Sequence, residues 1–118
     1  MADIDDIQAE FLKTLANPRR LRILHRLADG PVSVARLASD LGISQPNASQ
    51  HLAVMRAAGV GDAERDGREV RYRIADPEIV VACAIVRTVL ERRFGRLAAL
   101  AVATPQLEAV DRIAIPVR

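Results

Sequence analysis

Gln45, Asn47, Ser49 and Gln50 lie within one run of six residues in the stretch SQPNASQHLAVMRAAGV, residues 44–60. Each carries a short side chain that both donates and accepts hydrogen bonds. A helix that only covers a core carries long charged residues on its outer face, because these stay solvated and hold helix well. Small amides and hydroxyls in that place suit a surface that reads the edge of another molecule. Ser44 opens the run at a position suited to an N-cap, and His51 closes it. Two readings of His51 stay open: contact with a phosphate, or a hydrogen bond to a neighbouring element in a half-buried setting.

Arginine supplies the second kind of chemistry. Arg65 and Arg68 flank Asp66-Gly67, a turn signal, and are expected to project from the tip of a hairpin toward phosphate. Arg19, Arg20, Arg22 and Arg26 form a further cluster. It reads either as a phosphate clamp or as the solvated face of a helix, with Arg20 also suited to anchoring helix ends. His25 reads as a packed or solvated helix residue. Cys83, among Ala and Val, reads as a small apolar packing group, the alternative being a redox thiol. No Ser, His and Asp set, no paired carboxylates and no Gly-rich phosphate loop appear, so the chain does not read as an enzyme. No cofactor is implied.

The elements that must position these groups follow from spacing. IDDIQAEFLKTLA places Ile4, Ile7, Phe11, Leu12 and Leu15 at helical intervals, with acids in the first turn, and predicts a helix over about 5–16. Asn17-Pro18 breaks it and caps a second helix, PRRLRILHRLAD, expected to bury Leu21, Leu24 and Leu27 before Gly30-Pro31 ends it. Ser33 suits the N-cap of VARLASDLG, whose Val34, Leu37, Ala38 and Leu41 share a face and whose Gly42 stops it. Ser44 caps the next helix, with Pro46 in its first turn and Ala48, Leu52 and Met55 facing inward. Two helices joined by a short turn around a Gly form a helix-turn-helix, here over about 33–58, with the second helix placed to enter a major groove. The period then alternates through VGDAERDGREVRYRI, a hairpin over about 60–74 beside that helix: a wing. From Asp76-Pro77 a last helix, about 77–103, is apolar on too many sides to stand alone. The tail beyond it, bounded by Pro105 and Pro116, holds either a further helical turn or two or a loose attachment.

Composition agrees with one small domain. The 118 residues are 50% hydrophobic, enough for a core, and only 3% aromatic, too few for a stacking platform that holds single strands. One cysteine excludes an internal disulfide framework and a thiol-rich zinc cluster within the chain. No signal-peptide pattern opens the sequence and no apolar run of about 18 residues suits a bilayer, so a cytoplasmic protein without membrane contact is expected. Residues 1–16 carry one Lys against four acids, whereas residues 17–75 carry ten Arg against six. Positive charge therefore sits with the polar helix, as expected for a surface that meets phosphate.

The order of these elements, and the phrases LANPRRLRIL, SQPNASQHLAVMRAAGV and GREVRYRI, resemble the ArsR/SmtB family of winged helix-turn-helix transcription regulators over about residues 5–95. The resemblance implies a mainly α fold with a small β-hairpin wing, dimerising through its first and last helices. It implies a sequence-specific repressor that binds double-stranded DNA carrying an imperfect palindrome and that a ligand, here of open identity, releases. The residues expected to meet DNA are Ser44, Gln45, Asn47, Ser49, Gln50, His51, Arg65 and Arg68. Those expected at the dimer interface are Ile7, Phe11, Leu12, Val86, Val89 and Leu90. Metal-sensing relatives carry two cysteines before the turn, where this chain has Ser33 and Ala35; others use an Asp-x-His pair and two later ligands, where it has Asp76, Glu78, Val89 and Arg92. No metal site is expected from either pattern. The residues alone also admit a reading as a winged-helix interaction and dimerisation module without sequence-specific DNA binding.

Overall fold

The computed structural model describes residues 1–100, with side chains through residue 95. Eight elements follow in order: α1 (Ile4–Leu15), α2 (Pro18–Leu27), β1 (Val32–Ser33), α3 (Val34–Leu41), α4 (Gln45–Ala57), β2 (Gly61–Asp66), β3 (Glu69–Ile74) and α5 (Pro77–Leu100). The expected end of the last helix at 103 and the tail after it lie outside the described residues. By contacts the chain divides into two units, residues 1–80 and a second beginning at Val81.

Side chains start each helix of the first unit. Asp3 and Asp6 cap α1 reciprocally, each carboxylate accepting the other residue's backbone N–H at 2.9–3.1 Å. The Asn17 carboxamide oxygen accepts from the N–H groups of Arg19 and Arg20 at 2.9 and 3.1 Å, and Pro18, which lacks an N–H, fills the first helical position. The Ser33 hydroxyl accepts from Arg36 N–H, and the Ser44 hydroxyl from Asn47 N–H, each at 3.2 Å. Between α3 and α4, Gly42 lies at φ 68°, a left-handed conformation that favours glycine. Its N–H bonds Ser39 O while Ile43 N–H reaches back to Ala38 O at 3.0 Å, closing α3 as a Schellman motif. That stop, followed at once by the Ser44 cap, makes the turn of the helix-turn-helix.

The core of this unit is built from Leu15, Ile23, Leu24, Leu27, Val32, Leu37, Ala38, Ala48, Leu52, Met55 and Val60, all buried. The α4 contribution is the expected one, at spacings of four and three. In α2 the expectation needs correction: Ile23 is fully buried and Leu21 only half-buried. The buried stripe centres on Leu24 and Leu27, and Leu21, in the first turn, falls at its margin.

Three antiparallel strands form one sheet in the order β1-β3-β2. The two residues of β1 were not expected; Val32 pairs with Tyr72 and Ser33 with Arg71, which ties the start of α3 to the wing. Register also moves the hairpin turn by one residue. Asp66 faces Glu69, so the central pair is Gly67-Arg68 rather than Asp66-Gly67. With Gly67 at φ 65° and no non-glycine residue at positive φ among the described residues, this is the pattern of a type II′ turn.

The helix α5 begins where expected, the Asp76 carboxylate accepting from Glu78 N–H at 3.0 Å. It carries Val81, Ile85, Val86, Val89 and Leu90 exposed. In the first unit, α1 likewise leaves Ile4, Ile7 and Leu12 exposed. No helix among the described residues is long and apolar enough to cross a membrane.

Candidate nucleic-acid interface

Of the expected reading residues, the structure leaves Ser44, Gln45, Ser49 and Gln50 exposed along the first half of α4. The inward positions Ala48, Leu52 and Met55 anchor the helix, so its polar face is held by a packed opposite face. Asn47 does not lie free as expected. It is half-buried, and its Oδ1 accepts a 2.7 Å hydrogen bond from Arg19 Nη1 at the start of α2.

His51, one helical turn further on, is half-buried beside Arg20. Arg20 is a strut between elements: its Nε donates to the Thr14 carbonyl at the end of α1, and its Nη1 lies 3.4 Å from His51 Nδ1. An arginine only donates, so Nδ1 must accept and the ring proton sits on Nε2. Burial, then the charges of Arg20 and Arg19, hold the His51 pKa below its ordinary value. The imidazole at the edge of the polar face is therefore neutral near pH 7. Both readings of Arg20 and His51 that invoke contact between elements thus describe this structure.

Charge around α4 is distributed unevenly. Residues 17–60 hold six Arg against two acids, and the hairpin 61–74 holds four Arg against four acids. On α2 and α3, Arg26 and Arg36 share the Asp40 carboxylate at 2.8 and 3.1 Å, and these contacts hold the Asp40 pKa below the usual carboxylate value, Arg26 contributing most. Arg19, Arg20, Arg22 and Arg56 have no acidic partner among the described residues. Arg19 and Arg22 line a pocket of about 240 Å³ with Leu41, Gly42 and Ile43, beneath the turn that leads into α4. On the hairpin, Arg71 lies within 3.5 Å of Asp66 and Glu69, and Arg73 within 3.9 Å of Asp62 and Glu64. Arg65 and Arg68, the pair expected at the tip, are exposed and unpaired among the described residues.

The residues expected to join two copies fall on separate units. Ile7 and Leu12 are exposed and Phe11 is half-buried on α1, where Ile7 and Phe11 line a shallow groove with Ala2, Thr14, Val54 and Ala58. Val86, Val89 and Leu90 are exposed on α5. Cys83 is half-buried and burial pushes its thiol pKa up, which leaves little thiolate for redox chemistry. Among the described residues no group of three or more His, Cys, Asp or Glu side chains is so placed that it could hold a metal ion. Sequence reasoning assigned Arg19 and Arg22 only to a general cluster. Their link to α4 carries no local signal, because Arg19 and Asn47 are 28 residues apart.

The family model for bacterial regulatory protein, arsR family, matches residues 17–60. The chain is 48% identical over 87 residues to an uncharacterized HTH-type transcriptional regulator of Mycobacterium tuberculosis, Rv0081, covering 73% of this chain and 76% of that one. The crystal structure of Rv0081 superposes with a TM-score of 0.73 at 43% identity, over 81% of this chain and 97% of that one. A solution structure from Mycobacterium bovis, Mb0332, is described as a homodimeric winged helix-turn-helix DNA-binding domain of a possible ArsR-family regulator. It superposes with a TM-score of 0.71 at 33% identity, over 79% of this chain and 90% of that one.

Proposed function

This chain belongs to the arsR family of bacterial regulatory proteins, and from that premise we propose that it is a homodimeric repressor that binds double-stranded DNA at an imperfect palindrome. One observation carries the reading. The first half of α4 exposes Gln45, Ser49 and Gln50 with no long charged side chain among them, beside the unpaired arginines of α2. Neutral donors and acceptors discriminate base edges, and flanking cations neutralise phosphate without discriminating. In this reading α4 enters the major groove, Gln45, Ser49 and Gln50 meet bases, and Arg65 and Arg68 at the wing meet phosphate or a minor groove. His51, as a neutral Nε2–H donor, serves as a hydrogen-bond contact to a phosphate and adds no charge.

Two copies, joined through Ile7, Phe11 and Leu12 of α1 and Val86, Val89 and Leu90 of α5, place two such helices about 34 Å apart, one turn of duplex. The exposed apolar residues of both helices support that assembly. Val86→Asp is expected to give a monomeric or insoluble protein, read by sedimentation; a variant that remains a dimer would show the interface to lie on another face. Metal has no part in the reading, since Ser33 and Ala35 offer no thiolate and Val89 and Arg92 offer no ligand where metal-sensing patterns place them.

The test is selection of duplexes from a random pool, followed by titration of the enriched duplex and a scrambled one. Enrichment of an inverted repeat, bound much more tightly than the scrambled duplex, is the expected result. Equal binding to both, or none to either, would leave the dimerisation-module reading in its place.

A further inference from the structure

Resting on that reading, we infer that the four carboxylates on the outer face of the wing, Asp62, Glu64, Asp66 and Glu69, are specificity determinants: they keep Arg71 and Arg73 from serving as a second, sequence-blind contact to phosphate. Register sorts the hairpin into two faces, because directly opposed residues of antiparallel strands turn their side chains to the same side. Asp62 with Arg73, Glu64 with Arg71, and Asp66 with Glu69 share one face. Ala63 with Tyr72, and Arg65 with Val70, share the other. Val32, the second partner of Tyr72, is buried, so that second face is the inner one, turned toward the helices, and β2 lies against α4. Arg65 therefore leaves the hairpin on the side of the reading helix, whereas Arg71 and Arg73 leave it on the side that looks away.

The outer face holds four exposed acids against two arginines. Each arginine sits between two acids. Arg71 Nε lies 3.5 Å from Asp66 and 3.4 Å from Glu69, and Arg73 reaches Asp62 at 3.9 Å and Glu64 at 3.7 Å. The two arginine side chains are still 43% and 47% exposed, so with the acids neutralised both would be open to a phosphate. A duplex docked there would meet cations and no base-reading group, and contacts of that kind give affinity without sequence. With the acids in place the face carries net negative charge and repels the duplex backbone. When α4 occupies the major groove, this face points away from the duplex, so the carboxylates weaken the operator complex little. Their effect falls on wrong dockings. Non-specific sites far outnumber operators, and suppressing them raises specificity without any new base contact.

The experiment compares the full chain with the variant Asp62→Asn, Glu64→Gln, Asp66→Asn, Glu69→Gln. Ion pairs this exposed add little to stability, so the variant is expected to fold, which thermal unfolding checks; Asp62→Asn with Glu64→Gln, which frees Arg73 alone, takes its place if it does not. Each protein is titrated over a range of salt with the duplex enriched from a random pool and with a scrambled one. The variant should bind the scrambled duplex about tenfold more tightly, with a slope of log affinity against log salt steeper by about one unit for each arginine released, while the enriched duplex gains less than about threefold. Adding Arg71→Gln and Arg73→Gln should return the scrambled duplex to its native affinity and slope. Three results overturn the inference while leaving DNA reading in place: unchanged binding of the scrambled duplex, an equal gain on both duplexes, or a gain that survives the loss of both arginines. If the native chain enriches no sequence at all, the DNA-reading proposal falls and this inference falls with it.

Discussion

The helix α4 and the β2–β3 hairpin flank each other on one unit, yet they handle charge in opposite ways. The hairpin carries as many acids as arginines, and its strands spend Arg71 and Arg73 on their own carboxylates, leaving only Arg65 and Arg68 at the tip. The polar half of α4 carries no charge, and the positive excess of residues 17–60 sits largely on α2 beside it. The difference teaches that abundance of arginine is a poor guide to where phosphate is met. An arginine paired across a strand contributes little net field, whereas an unpaired one, or one hydrogen-bonded to a neutral group, contributes all of its charge. Sequence counting placed the cation on the whole middle segment; ion pairing leaves it on α2, on Arg56 at the end of α4 and on two residues of the wing.

The contrast can be broken or sharpened at four sites. Arg20→Ala should have the largest effect, since it removes charged hydrogen bonds that join α1, α2 and α4; a loss of about 1.5–3 kcal/mol in urea unfolding is expected. The same variant carries a pH signature. Because burial and neighbouring arginines depress the folded pKa of His51, the unfolded chain takes up the proton first as pH falls. The His51 contribution is complete above about pH 6.5 and is lost as pH falls from there through the depressed folded value. Arg20→Ala should flatten that decline, and an unchanged pH dependence of unfolding would show that the arginine does not act on the ring.

Next, Gln50→Ala should cost about 1–3 kcal/mol on the selected duplex, little on random duplex, and leave the salt dependence nearly as it was. An equal loss on both would mean that α4 grips backbone. Arg68→Ala should do the converse, weakening every duplex and flattening the slope of log affinity against log salt by about one unit. Smallest should be Arg71→Ala, whose charge is already met by Asp66 and Glu69: the salt slope should hold, and stability should change by less than about 1 kcal/mol. A slope change as large as that of Arg68→Ala would erase the distinction between paired and unpaired arginines on the wing.

Much of the frame was legible because it is written in short-range signals. Asn17, Ser33 and Ser44 each cap the helix their type and position announce, and Ala48, Leu52 and Met55 turn inward as their spacing requires. What escaped depends on partners distant in the chain. A strand of two residues has no period to detect, and β1 exists only because β3 lies alongside. The hairpin turn shifted by one residue because cross-strand pairing of Asp66 with Glu69, rather than the Asp-Gly dipeptide, decides the register. Asn47 had the composition of a free reading residue, and only the approach of α2 shows its amide oxygen to accept a bond from Arg19.

Ser33 belongs to two elements at once: it pairs with Arg71 in the sheet, and its hydroxyl starts α3. Strand and helix meet there with no spacer. Chain length is therefore locked at that junction in a way it is not a few residues earlier, where Ala28, Asp29, Gly30 and Pro31 bridge α2 and β1 outside any strand or helix. An insertion after Ser33 forces a choice between the sheet and the cap, whereas one at Asp29 or Gly30 lengthens a connection. Among descendants of this sequence, gain and loss of residues should accumulate before Val32 and stop there, leaving the distance between wing and helix-turn-helix as the inherited constant.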